Sequence, residues 1–253
     1  MHIPAPQLWV LLLAVFRFAP LMIMPAVSPF SWVPLMVRLA LLLAVAAVSL
    51  AGTAGHLPPV PASQVAIGGA LITEMLIGLA LAFSVHLTFG VLHFFGRLLD
   101  MQLGIGAAAI FNPAVSSTDT LVGTALGLTG TLLFFVFNLH LALFRGLAAS
   151  LQAAPLGQGL TAFDPGWLLD MLGGQFLLGF SVVAPTVITL FILDVVIAFA
   201  SRTMPQANIY FISLPLKLGL GLTCLSLSLR FVGPAMSRLL SGGLAPWHRI
   251  LGS

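Results

Sequence analysis

The feature that most constrains this chain is the near absence of charge along its long apolar stretches. Nine Lys or Arg and six Asp or Glu are spread over 253 residues, so charged side chains make up 6% of the sequence and hydrophobic ones 60%. A soluble domain carries about one-quarter charged residues; a chain with so few has too little polar surface to face water. A hydrocarbon core about 30 Å thick needs about 20 apolar helical residues per crossing, and the apolar length here suffices for about six. The expected fold is therefore all-α: a polytopic membrane protein of about six long apolar helical segments, some broken or kinked. The formal charge of +3 comes from scattered groups with no basic run, which excludes a nucleic-acid-binding surface. The single cysteine, Cys224, lies in an apolar segment and reads as a small core residue.

Residues Met1 to Gln7 contain two prolines and no Lys or Arg. They lack the basic start of a cleavable signal peptide, so the first segment is expected to stay in the protein. That segment, about Leu8 to Ile23, holds Arg17 near its middle, a charge that costs about 2.5–3.5 kcal/mol at a bilayer centre. A proline-rich link (Pro20, Pro25, Pro29, Pro34) leads to a second segment over about Leu35 to Ala51, with Arg38 in its first turns. After a turn region with Pro58, Pro59 and Pro61, the third segment stays apolar from about Val65 to Phe95. At about 45 Å if helical, it exceeds one crossing. Glu74 sits inside it, and Gly78 and Ala82 follow at four-residue steps as a small-residue face.

The fourth segment, Leu121 to about Ser150, is equally overlong. It opens with Gly123 and Gly127 at the GxxxG spacing plus Gly130, but a chain with 25 glycines produces such a spacing by chance. Asn138, His140 and Arg145 place polar groups in its second half. A link containing Pro155, Gly157, Gly159 and Asp164-Pro165-Gly166 precedes the fifth segment, about Leu172 to Ala200. There Pro185 removes one ladder bond and invites a kink, and Asp194 lies near the far end. A second unusual link, Met204 to Lys217, leads to a final segment from about Leu216 to Val232, and the tail with Arg230, Arg238, His248 and Arg249 reads as a short surface segment.

Between the third and fourth segments lies the least ordinary stretch, Asp100 to Asp119. Gly104 and Gly106 are followed by an alanine run, the apolar pair Ile110 and Phe111, then Asn112-Pro113 and a Ser/Thr cluster. A link between membrane helices is ordinarily a polar surface turn, because backbone outside a helix needs water or a partner. This link is small and apolar, which suits a loop packed inside protein or across a pore. A loop tucked against its own helices fits the same composition.

Basic residues give no orientation: Arg38, Arg97, Arg202 and Lys217 fall near the odd links, and Arg145, Arg230, Arg238 and Arg249 near the even links and tail. Partner subunits rather than the bilayer are then expected to fix much of the geometry. The sequence holds no His-Glu-x-x-His, no Gly-x-Ser-x-Gly and no Gly-Lys-Ser or Gly-Lys-Thr phosphate loop. His86 and His93 share a helix face about 10.5 Å apart, too far to ligate one zinc together, and read as packed or interfacial. No catalytic residue, cofactor or metal is assigned, and an enzyme has no positive support. Arg17, Glu74, Asp194 and Lys217 are the buried-looking ionisable groups. They either pair for assembly or, in an ion-coupled transporter, form coupling sites; no second half repeats the first as many such transporters do.

Several of these stretches together resemble one family. They are Glu74-Met-Leu-Ile-Gly78 through Phe83, Gln102-Leu-Gly104 through Phe111-Asn112-Pro113, Phe137-Asn138-Leu-His140, and Arg202-Thr-Met-Pro205-Gln206-Ala-Asn208-Ile209 leading to Pro215-Leu216-Lys217. In order and spacing they are similar to the FliR family of flagellar export-gate proteins, whose relatives are the SctT proteins of virulence injectisomes. The link after the fifth segment is the most specific piece.

The resemblance implies a non-enzymatic core subunit of a type III export gate, at the flagellar basal body in the bacterial inner membrane. It implies helical hairpins, with residues 1–151 resembling a FliP-like part and 152–253 a FliQ-like part. The implied partners are FliP-like and FliQ-like subunits, FlhB-like and FlhA-like export components, and unfolded secreted proteins. The family's plug loop maps onto about Gly104 to Thr120, giving Gly104, Gly106, Ile110, Phe111, Asn112 and Pro113 as plug residues. Arg17, Glu74, Asn138, Asp194, Arg202, Gln206, Asn208 and Lys217 then serve assembly or buried polar contacts. The chain departs from the family's usual pattern at Asn112 (commonly an acid), Arg97 (commonly Glu), Asp100 (commonly Gly) and Asp194 (commonly Asn), so no charge pairing carries over at those positions. An injectisome subunit and, from another class, an ion-coupled small-molecule transporter are the alternatives.

Overall fold

The computed structural model describes residues 5–24, 28–52, 58–105, 120–158, 166–203, 209–231, 233–244 and 247. Among them every regular element is an α-helix: α1 (Ala5–Ile23), α2 (Leu35–Gly52), α3 (Gln64–Leu103), α4 (Leu121–Val136), α5 (Leu139–Ala153), α6 (Gly166–Thr203), α7 (Ile209–Phe231) and α8 (Gly233–Gly242). Four of these, in α1, α3, α6 and α7, are long and apolar enough to cross a bilayer, and the bent α4–α5 pair reaches that length only when its two helices are taken together; α2 adds a shorter apolar stretch, Leu35–Ser49. This is a polytopic all-α membrane protein.

The helix ends follow from local chemistry. Ser63 caps α3, its Oγ accepting the Ala66 N–H at 3.2 Å. The sequence then runs without proline for 40 residues, about 60 Å of helix. It stops at Gly104, whose φ of 76° only glycine adopts freely. There the Ile105 N–H reaches back to the Asp100 carbonyl (3.1 Å) and the Gly104 N–H to the Met101 carbonyl (3.2 Å), the paired bonds of a Schellman cap.

Three boundaries differ from the sequence reading. The overlong fourth segment is two helices, α4 and α5, bent by 72°. The break is at Asn138, which takes a left-handed conformation (φ 56°) that asparagine tolerates better than most residues. The last long helix starts at Ile209 rather than near Leu216 and carries Pro215 inside it, since one proline removes only its own ladder donor and already has a helical φ. The tail is not simply a surface segment: Trp247 is buried and its Nε1–H donates to Ser84 Oγ at 2.7 Å. Pro185 sits within the uninterrupted span of α6.

The chain clusters into two compact units that alternate along the sequence. The first comprises Met1–Thr88, Phe134–Gly173 and Ser241–Ser253, the second Phe89–Leu133 and Gly174–Leu240. In the first unit, α1 buries Val10, Leu13, Ala14, Arg17, Phe18 and Leu21, a stripe at three- and four-residue steps. The stripe of α3 that belongs to this unit is Glu74, Ile77, Leu81, Ala82 and Val85. Between Ile77 and Leu81 lies Gly78, where a Cβ would fall 2.0 Å from the Arg17 carbonyl oxygen, so only glycine lets the α1 backbone approach α3 this closely. Trp247 fills a matching notch at Gly146, where a Cβ would lie 2.5 Å from its ring.

In the second unit the glycines that the GxxxG spacing left without weight form a seam. A Cβ on Gly96 of α3 would sit 2.3 Å from the Gly123 Cα of α4, one on Gly127 would meet the His93 ring at 2.4 Å, and one on Gly130 would meet Leu92 at 2.7 Å. The α3 and α4 backbones are therefore in direct contact at Gly96 and Gly123. Farther along, Phe95 of α3 packs edge-on to Phe176 of α6, with ring centroids 6.0 Å apart.

Candidate functional site

Two polar constructions stand out against this apolar background. In the first unit, Arg17 and Glu74 are fully buried and joined by an Nε–Oε2 contact of 2.5 Å. Burying one charge in an apolar interior is prohibitive unless it is paired and its remaining donors are used. Here Arg17 Nη1 donates to the carbonyl of Ala154 (2.7 Å), just past the end of α5, and to that of Ser150 (3.0 Å), which also accepts the Ala154 N–H; among the described residues Nη2 has no partner. Glu74 Oε1 accepts the Gly157 N–H at 2.9 Å. Gly157 has a φ of 80°, so the turn that presents this N–H requires glycine. The pair thus ties α1, α3 and the end of α5 to one another.

The second construction frames the Gly104 to Thr120 stretch. Asp100, in the last turn of α3, is buried, and its carboxylate reaches the N-terminus of α4. Oδ1 and Oδ2 each accept from the Val122 N–H at 3.1 Å, and Oδ2 also accepts from the Gly123 N–H at 3.4 Å. A helix N-terminus leaves such N–H groups without intrahelical partners and carries partial positive charge, so an anion there is favoured. Thr120 provides the other end of the cap, its carbonyl accepting from the Thr124 N–H at 2.9 Å. Asp100 closes this turn from 22 positions before Val122, where the sequence marked it only as the first residue of the Asp100 to Asp119 stretch. No local pattern links an acid to a helix start at that distance.

Of the remaining sequence-derived residues, Asp194 and Lys217 are brought together as an ion pair of α6 and α7, both partly exposed. Arg202 is exposed in the last turn of α6, and Asn138 is exposed at the α4–α5 break without a side-chain capping bond. Gly106, Ile110, Phe111, Asn112, Pro113, Gln206 and Asn208 lie outside the described residues. His86 is half-buried with Nδ1 2.6 Å from the Ala82 carbonyl, and His93 packs against Gly127. Among the described residues no three His, Cys, Asp or Glu side chains converge as a metal site.

Long apolar helices and charges paired within the chain define a polytopic membrane protein. Residues 8–243 match the family described as bacterial export proteins, family 1, and the chain belongs to that family. It is 28% identical over 212 residues to the flagellar biosynthetic protein FliR of Caulobacter vibrioides, covering 83% of this chain and 84% of the relative. To the FliR of Aquifex aeolicus it is 30% identical over 167 residues, 66% of this chain and 64% of the relative. Yop proteins translocation protein T of Yersinia pestis is 28% identical over 148 residues, 57% of this chain and 56% of the relative. The protein is a component of a type III export apparatus.

Proposed function

We infer that this chain is the FliR-type subunit of a flagellar export gate in the bacterial inner membrane. It assembles with FliP-like and FliQ-like subunits into a gated channel for unfolded substrates and works with FlhB-like and FlhA-like components; it catalyses no reaction itself. Residues 1–151 act as the FliP-like part and 152–253 as the FliQ-like hairpin part. The Gly104 to Thr120 stretch is the pore plug, with Ile110 and Phe111 as its apolar closure and Gly104 and Gly106 letting it move aside.

The observation that carries this reading is the family match, which runs through residues 8–243 and so includes both helices bounding the plug stretch. The apolar surface supports it: the apolar windows in α6 and α7 are only 28% and 22% buried within the chain, which leaves faces for lipid or for other subunits. The longer match to the Caulobacter FliR than to the Yersinia translocation protein favours the flagellar system over the injectisome. Two measurements test the proposal. Co-expression with FliP-like and FliQ-like chains is expected to yield one stable complex. In that complex, shortening the Gly104 to Thr120 stretch or replacing Ile110 and Phe111 with serine is expected to raise ion conductance. Unchanged conductance in an assembled complex removes the plug assignment, and a monodisperse chain that ignores those partners removes the gate reading.

A further inference from the structure

Residues 105 and 120 are the described ends of the mid-chain stretch, and Asp100 bonds to Ile105 at one end and to Val122 and Gly123, just beyond the other. The Asp100 carbonyl accepts the Ile105 N–H at the exit of α3, while the Asp100 carboxylate accepts the Val122 and Gly123 N–H groups at the entry to α4. Just behind this point, Gly96 and Gly123 bring the two backbones into contact. Asp100 is only 4% exposed, so its carboxylate lies in a setting of low dielectric where these bonds are strengthened. A charged acceptor shared by two otherwise unpartnered donors is among the stronger single hydrogen-bonding arrangements.

We propose that Asp100 is the positioning residue of the pore stretch: it anchors the end of α3 to the first turn of α4, so that the stretch between them leaves and returns at one fixed base. The functional part of this inference rests on the plug reading above. A plug on a fixed base can be displaced and return to the same seat, whereas one whose α4 end frays has no defined closed position.

The test uses the full co-expressed complex carrying Asp100→Ala or Asp100→Asn, beside the loop-shortened variant as a reference. Hydrogen exchange is read over α4, and ion conductance is read in parallel. Asp100→Ala is expected to speed exchange in the first turn of α4, Leu121 to Thr124, by about tenfold to a hundredfold, to leave Gly127 to Val136 protected, and to raise conductance. Asp100→Asn keeps one carbonyl acceptor and is expected to fall between wild type and alanine in both readouts.

Unchanged first-turn exchange in both variants overturns the anchor. Faster local exchange without added conductance, while the loop-shortened variant leaks, overturns its role in closure. If neither Asp100→Ala nor the loop-shortened variant leaks but local exchange still rises, the anchor stands and the plug reading is what fails. Should Asp100→Ala not assemble, Asp100→Asn decides: assembly with faster exchange confined to the first turn supports the anchor, and failure to assemble or an even rise along α3 and α4 overturns it.

Discussion

The Arg17–Glu74 and Asp194–Lys217 pairs use the same chemistry in opposite settings. The first has no exposed side-chain surface and three additional backbone partners, Ser150, Ala154 and Gly157. The second leaves 23% of the Lys217 side chain and 45% of the Asp194 side chain exposed. A buried pair is held in place because either partner alone is intolerable, while an exposed pair gains little from solvent-screened attraction. An ion pair in an apolar chain therefore has no fixed worth; its weight comes from burial and from the other hydrogen bonds that orient it.

The largest expected effect comes from breaking the buried pair on one side only. Arg17→Ala or Glu74→Ala should lower stability by about 3–5 kcal/mol, read as a fall in the unfolding midpoint of the purified protein or as loss of folded chain. Replacing both with apolar residues of similar size should recover part of that loss, because no lone charge remains. The recovery should be incomplete, since the Ala154 carbonyl and the Gly157 N–H lose the side-chain partners they have here.

Next in size is the backbone contact beside the same pair. Gly78→Ala would place its methyl carbon 2.0 Å from the Arg17 carbonyl oxygen, and the forced separation should cost about 1–3 kcal/mol. Gly219→Ala in α7 meets nothing within 4 Å. That change should stabilise by up to about 1 kcal/mol through helix propensity alone. Thermal unfolding of the two variants side by side should show shifts of opposite sign; shifts of equal sign would mean that Gly78 is not at a tight crossing.

The smallest effect is expected at the exposed pair. Asp194→Asn or Lys217→Met should change stability by no more than about 1 kcal/mol. A loss as large as that of Arg17→Ala would erase the contrast between the two sites and show that another surface covers Asp194 in the working assembly.

Much of this was legible in the residues. Apolar segments with few charges marked the helices, and rarity alone singled out Arg17, Glu74, Asp194 and Lys217. Their partners were not legible: Arg17 and Glu74 are separated by 57 positions, and nothing periodic connects them. The glycine seam was discounted for a sound statistical reason, since a spacing says nothing about what lies opposite. Its meaning came from Gly96 and His93 on another helix. Likewise Asn138 read as a polar group inside a long segment, whereas its backbone breaks that segment in two.

What the sequence by itself determined is the class of fold. A chain with too little charge to face water must satisfy its backbone groups internally, and helices of bilayer length do so using neighbours four residues apart. Only the tertiary structure decided which distant groups meet: Arg17 with Glu74 and the end of α5, Asp100 with the start of α4, and Trp247 with Ser84. The physical reason is one of range. Helix formation and hydrophobic partition are set by neighbours along the chain, but the lone polar groups left over are satisfied only where packing brings a remote donor to a remote acceptor.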